Sequence, residues 1–352
     1  MLRSNRLPLI DSARGLLSLG VASFHASMYA WDPNGHLQGD MFQLWNFLRF
    51  GNAVRVPLFF CISGFVLTLA LSKLPPTCTS YWTFFLRRLT SITPMWWISI
   101  AFGILVEYCF SIKHQSQFLF PTFDTVVCNM AYLYKILSKP SLNYAGYTLC
   151  IEVQIYIVIT ILGLISLYAK QVKNYINSTL LVASLIFANA QSLLFDNSTW
   201  LVGFWPWYAI GSLCYLRTQK LISREFMTAS VLSFGLSQSR NPDIERGLLI
   251  TSTIFVIYGL SEFDLTSKIW NMGRQFTFLS RYSFALFLLH IKFVAHGITF
   301  DKARAYLGLH PNFTFFILVL LPLLLAIAIT PLMNRIDKFL MAKLFPQVNK
   351  QA

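Results

Sequence analysis

Apolar runs of about 20 residues recur along the whole chain, and most of the charged residues fall between them. A run of that length spans the roughly 30 Å hydrocarbon layer of a bilayer when helical. A lipid-embedded backbone must satisfy its own hydrogen bonds, so helices are the expected form. The pattern predicts spanning helices over 9–31, 54–72, 92–111, 149–169, 178–195, 200–217, 225–239, 247–263, 277–298 and 312–334. Of these, 225–239 is short and 149–169 carries Glu152 near its edge. An eleventh apolar stretch, 122–137, is shorter and interrupted by Asp124 and Asn129.

The basic loops decide whether that stretch crosses. If it does not, ten helices with a cytoplasmic N-terminus gather Lys73, Arg87, Arg88, Lys170, Lys173, Arg217, Lys220 and Arg224 on the inner side. The tail residues Arg335, Lys338 and Lys343 join them, as the positive-inside rule requires; a crossing at 122–137 would move the middle loops outside. We therefore expect 112–148 to be an extracytoplasmic excursion with an interfacial or re-entrant helix, although Lys113, Lys135 and Lys139 run against the rule there. On this reading His25 and Glu152 both lie toward the outer side. No fixed-period repeat, low-complexity run or linker interrupts the chain, which implies one membrane domain over 1–352 with a short basic cytoplasmic tail, 335–352. The first run follows only Arg3 and Arg6 and ends in W-D-P-N-G-H without a small-residue cleavage site, so it reads as a retained helix.

Composition agrees with this all-α polytopic picture: 55% of residues are apolar and 12% charged, against about 25% charged in soluble domains. The net charge of +14 sits in short loops, which points to topology and anionic headgroups. A basic stripe interleaved with exposed aromatics is missing, so no nucleic-acid partner is expected. The six cysteines have no metal-ligand spacing; they read as packing residues, and no metal is expected.

Chemistry is suggested first by Leu7–Trp31, which is long enough to cross yet carries Asp11, Arg14 and His25. Eleven steps of 100° bring His25 back to within about 20° of Arg14 and about 16 Å further along the axis. Ionisable groups at membrane depth are costly and face protein or a wet cavity. A buried ion pair plus a packed histidine would use the same residues structurally. In V-P-L-F-F-C-I-S-G-F-V-L-T, Ser63 and Gly64 fit close helix contact, since no nucleophile elbow surrounds the serine. F-L-R-R-L-T-S-I-T-P-M-W-W places Arg87 and Arg88 at a rim, either as a topological anchor or as a grip for phosphates. Y-T-L-C-I-E-V-Q-I-Y sets Glu152 in an apolar helix, able to snorkel, pair with a lysine or orient a histidine. S-R-Y-S-F-A-L-F-L-L-H ends on His290, for which a packed, hydrogen-bonded role is the plainer reading.

Together, and in this order, these five stretches resemble the acyltransferase-3 family of integral membrane acyltransferases, over about 280 residues. The resemblance is to the stand-alone form, without an appended esterase-like domain. Two positions depart from it: Ser91 stands where the family often has another arginine, and Tyr147 where it has tryptophan. The resemblance implies a cytosolic acyl-CoA donor, by default acetyl-CoA, and the hydroxyl of an extracytoplasmic sugar, polysaccharide or lipid-linked glycan as acceptor, in a bacterial inner membrane. It implies His25 as base or transient acyl carrier with Glu152 beside it, and Asp11, Arg14, Arg87 and Arg88 on the donor path. Ser63, Gly64 and His290 are candidates for packing or for lining the channel. The competing expectation is a transporter or flippase using the same stripe as a relay, although matching halves with broken helices are not visible. A non-catalytic membrane scaffold is the third.

Overall fold

The structure, a computed structural model, describes residues 7–30, 40–113, 115–168, 203–239, 244–295 and 311–345. The predicted span 178–195 and the first residues of 200–217 lie outside them. The described residues form ten α-helices joined by turns and short 3-10 segments, without a strand. They are α1 (Pro8–Ala30), α2 (Asp40–Ser72), α3 (Cys78–Lys113), α4 (Phe123–Met130), α5 (Tyr147–Tyr168), α6 (Trp205–Thr218), α7 (Arg224–Ser239), α8 (Ile244–Ser261), α9 (Thr277–Ala295) and α10 (Pro311–Leu344). Segments Gln43–Ser72, Cys78–Ile112, Tyr144–Ile165 and Asn312–Leu344 are each long and apolar enough to cross a membrane.

Two helices are longer than their apolar runs imply. α2 starts at Asp40 rather than 54, and α3 at Cys78 rather than 92. At 1.5 Å per residue, the 36 residues of α3 reach about 54 Å, so its first turns extend past any hydrocarbon layer. Arg87 and Arg88 therefore stand on a helical rim, not in a loop. The stretch 122–137 contains only the 8-residue α4 followed by turns, about 12 Å of helix and far too short to cross.

α1 and α9 pack side by side in parallel register. Ser12 Oγ donates to the Gly273 carbonyl (2.5 Å) and Ser18 Oγ to the Ser283 carbonyl (2.7 Å). A Cβ on Gly15 would lie 2.5 Å from Leu279 Cβ, so that glycine permits the approach. α6 runs along α2, where Thr68 Oγ1 donates to Ser212 Oγ (2.9 Å) and Ser212 Oγ to the Gly64 carbonyl (3.2 Å).

The segment between α4 and α5 is fastened rather than loose. Asn129, fully buried, donates to the Thr125 and Pro140 carbonyls (both 2.9 Å) and accepts from Leu142 N–H (3.0 Å). Trp96 Nε1 of α3 donates to the Asn129 carbonyl at 2.8 Å. Asn143 then donates to the Leu288 carbonyl at 2.8 Å, tying this segment to α9 two residues before His290.

Candidate active site

The parallel register of α1 and α9 sets the site. The polar stripe of α1 faces α9 at both ends, because residues eleven apart share a helix face. At the far end, His25 meets His290: His25 Nδ1 lies 3.0 Å from His290 Nε2. The rings stack with centroids 5.1 Å apart and planes 21° apart. His290 is buried, and its Nδ1 lies 3.2 Å from the Leu286 carbonyl.

A carbonyl can only accept, so His290 carries its proton on Nδ1 and its Nε2 accepts. His25 Nδ1–H is then the donor to His290. That leaves the lone pair of the neutral His25 ring on Nε2. A ring held through one nitrogen with the other basic is the arrangement a proton acceptor needs.

Nearer the start of α1, Arg14 lines a narrow cavity of about 60 Å³ between α1, α2, α5 and α9. Glu152 of α5 and Ser63 of α2 line it too, with Thr148, Ser283 and a wall of phenylalanines. Its residue Phe287 also touches the His290 ring, centroids 5.9 Å apart, and Phe59 at 5.6 Å. The aromatic wall thus leads from the Arg14 cavity to the histidine pair.

Glu152 accepts a very short hydrogen bond from Tyr156 Oη, one turn along α5. The partner that His25 has is His290; Glu152 faces the cavity with Arg14. Among the described residues Asp11 makes no ion pair and does not line that cavity. Gly64 meets the backbone of α6: a Cβ there would run into the Tyr208 carbonyl oxygen. Ser63, one residue before it, faces the cavity instead.

The rim arginines diverge. Arg87 lies over the Phe345 ring (5.9 Å) and Arg88 over Phe84 (5.4 Å). Ser91 lines a second cavity of about 140 Å³ with Arg281, Asn334 and Asp337.

Three polar features escaped the sequence reading. Lys292 of α9 is buried and donates to Glu107 of α3 at 3.0 Å; a Cβ on Gly103 would sit 2.9 Å from its Cε. Asn143 holds α9 through Leu288. Arg55, in the middle of α2, is only 6% exposed. For Arg55 and Lys292 the pattern offered one signal, a polar residue inside an apolar run, without saying which helix it would meet; for Asn143 it offered none. No group of His, Cys, Asp and Glu that could hold a metal occurs among the described residues.

Long apolar helices around a polar centre, with a paired imidazole at one end and a guanidinium at the other, are the pattern of a helical membrane protein. A family model described as an acyltransferase domain, Acyl_transf_3, matches residues 7–331, nearly the whole chain. The chain belongs to this acyltransferase-3 family and is an acyltransferase. No curated protein and no solved structure matches it.

Proposed function

We propose that the protein moves an acyl group from an acyl-CoA, with acetyl-CoA as the simplest donor, to the hydroxyl of a sugar or polysaccharide on the far side of the membrane. The observation that carries this reading is the hydrogen bond between His25 Nδ1 and His290 Nε2, which makes Nε2 the basic nitrogen of the His25 ring. The acceptor hydroxyl gives its proton to that nitrogen as its oxygen attacks the thioester carbonyl. The C–S bond then breaks, and the departing thiolate takes the proton back.

The N-terminus of α1 and the basic rim lie on the cytoplasmic side in this scheme. Arg87 and Arg88 suit the phosphates of the donor, and Arg14 with Glu152 lines the passage that its acyl-bearing arm enters. Asp11 stands one turn before Arg14 at the entrance. Glu152 thus acts in the passage, with His290 as the partner of His25.

The test is thiol release by protein purified in lipid nanodiscs, given acetyl-CoA and methyl glycosides. His25→Ala should lower the rate by about 10²- to 10⁴-fold while accumulating normally in membranes. Near-normal release by that variant would sink the assignment. A transporter would instead show pH-driven uptake with no thiol released.

A further inference from the structure

Arg55 is a buried charge that the scheme above does not use. Its guanidinium lies between α1 and α2, with Nη1 donating to the Leu48 carbonyl at 2.6 Å. Two glycines make its room: a Cβ on Gly20 would stand 2.7 Å from Arg55 Nε, and one on Gly51 2.5 Å from Nη2. Among the described residues no carboxylate pairs with it. An arginine so placed, without a counter-charge in an apolar bundle, costs stability unless something negative comes to it.

Its position says where that negative charge arises. Leu48, whose carbonyl it holds, packs with Ala26 and Phe24, the residues on either side of His25. The next residue of α2, Val56, lines the cavity with Arg14.

We infer that Arg55 is the counter-charge for the oxyanion formed when the acceptor hydroxyl attacks the acyl carbonyl beside His25. This rests on the acyl-transfer reading. As the new C–O bond forms, the carbonyl π electrons move onto oxygen while the proton goes to His25 Nε2. Collapse returns those electrons and expels the thiolate. A fixed positive charge in a dry site lowers the energy of that intermediate and costs no reorganisation when it appears.

The test pairs activity with thermal stability in nanodiscs. Arg55→Met should lower kcat about 10²- to 10³-fold with the donor KM little changed, the loss expected for removing one oxyanion donor. Its Tm should be equal to or above that of the wild type, because a methionine removes an unpaired buried charge. Arg55→Lys should recover part of kcat, and Gly20→Ala, which displaces the guanidinium, should lose part of it. Arg55→Met with wild-type kcat would overturn the inference. So would loss of both kcat and Tm, which marks a structural arginine. Absence of thiol release from the wild type with any acyl-CoA would overturn the acyl-transfer reading and this inference together.

Discussion

His25 is oriented by its hydrogen bond to a second imidazole. His290 Nε2 can accept the Nδ1–H of His25 only while its own proton stays on Nδ1, donated to the Leu286 carbonyl. Replacing His290 by Leu removes the acceptor and frees the His25 ring to flip or change tautomer. We expect kcat to fall about 10- to 100-fold, the usual cost of losing a partner that orients a reacting group, with donor KM little altered. His290→Gln, whose carbonyl oxygen can accept the same proton, should retain more activity than the leucine variant. Equal rates for the two would show that His290 serves packing alone. The sequence showed His25 and His290 as intrahelical polar residues, and the eleven-residue spacing put Arg14 and His25 on one face. It did not show the pairing, because no local pattern records which helix lies opposite a given stripe.

At the scale of elements, glycines set the distances between helices. Gly64 and Gly211 each face a backbone carbonyl of the opposite helix, those of Tyr208 and Cys61. Gly64→Ala or Gly211→Ala must push α2 and α6 apart, so each should destabilise the protein by about 1–3 kcal/mol, measured as a lower thermal midpoint in detergent. The segment between α4 and α5 offers a pH test outside the spans. Lys139 lies 2.5 Å from Asp124. The Lys139 ammonium, helped by the Thr122 hydroxyl, holds the Asp124 carboxyl down to about 2. A depressed carboxyl contributes fully above its ordinary value of about 3.9 and loses that contribution as pH falls toward 2. Amide protection over 122–139, corrected for intrinsic exchange, should hold from neutral pH to about 4.5 and drop on further acidification. Unchanged protection at pH 2 would show that the Asn129 network fastens the segment alone. Helix existence was well marked in the sequence because apolar runs are long. The helix starts at Asp40 and Cys78 were not, since the polar first turns of α2 and α3 extend beyond the apolar run that signals them.

For the whole molecule, acyl transfer across the bilayer requires a sided protein. The segment carrying Lys139 must lie opposite the tail carrying Lys343, with the line from Arg14 to His25 between them. In a cysteine-free background, Lys139→Cys should react with a membrane-impermeant maleimide on intact cells, and Lys343→Cys only after permeabilisation. The reverse result would invert the donor and acceptor ends. Much of this design was legible: basic loops suggested the sides, and five short stretches in order resembled one family, whose model matches residues 7–331. What remained hidden were contacts between distant elements. The Lys292–Glu107 pair and Arg55 with Gly20 join residues that nothing in the local sequence relates.

The central claim is that His25 takes the acceptor's proton during acyl transfer, and reconstituted protein tests it most directly. Wild type and His25→Ala are placed in vesicles with acetyl-CoA supplied on the side of the α1 N-terminus and a glycoside acceptor on the other. Wild type should give acetylated glycoside on the far side with one thiol released per acetyl group, and the variant neither product above background. Comparable acetylated glycoside from a folded His25→Ala protein would contradict it.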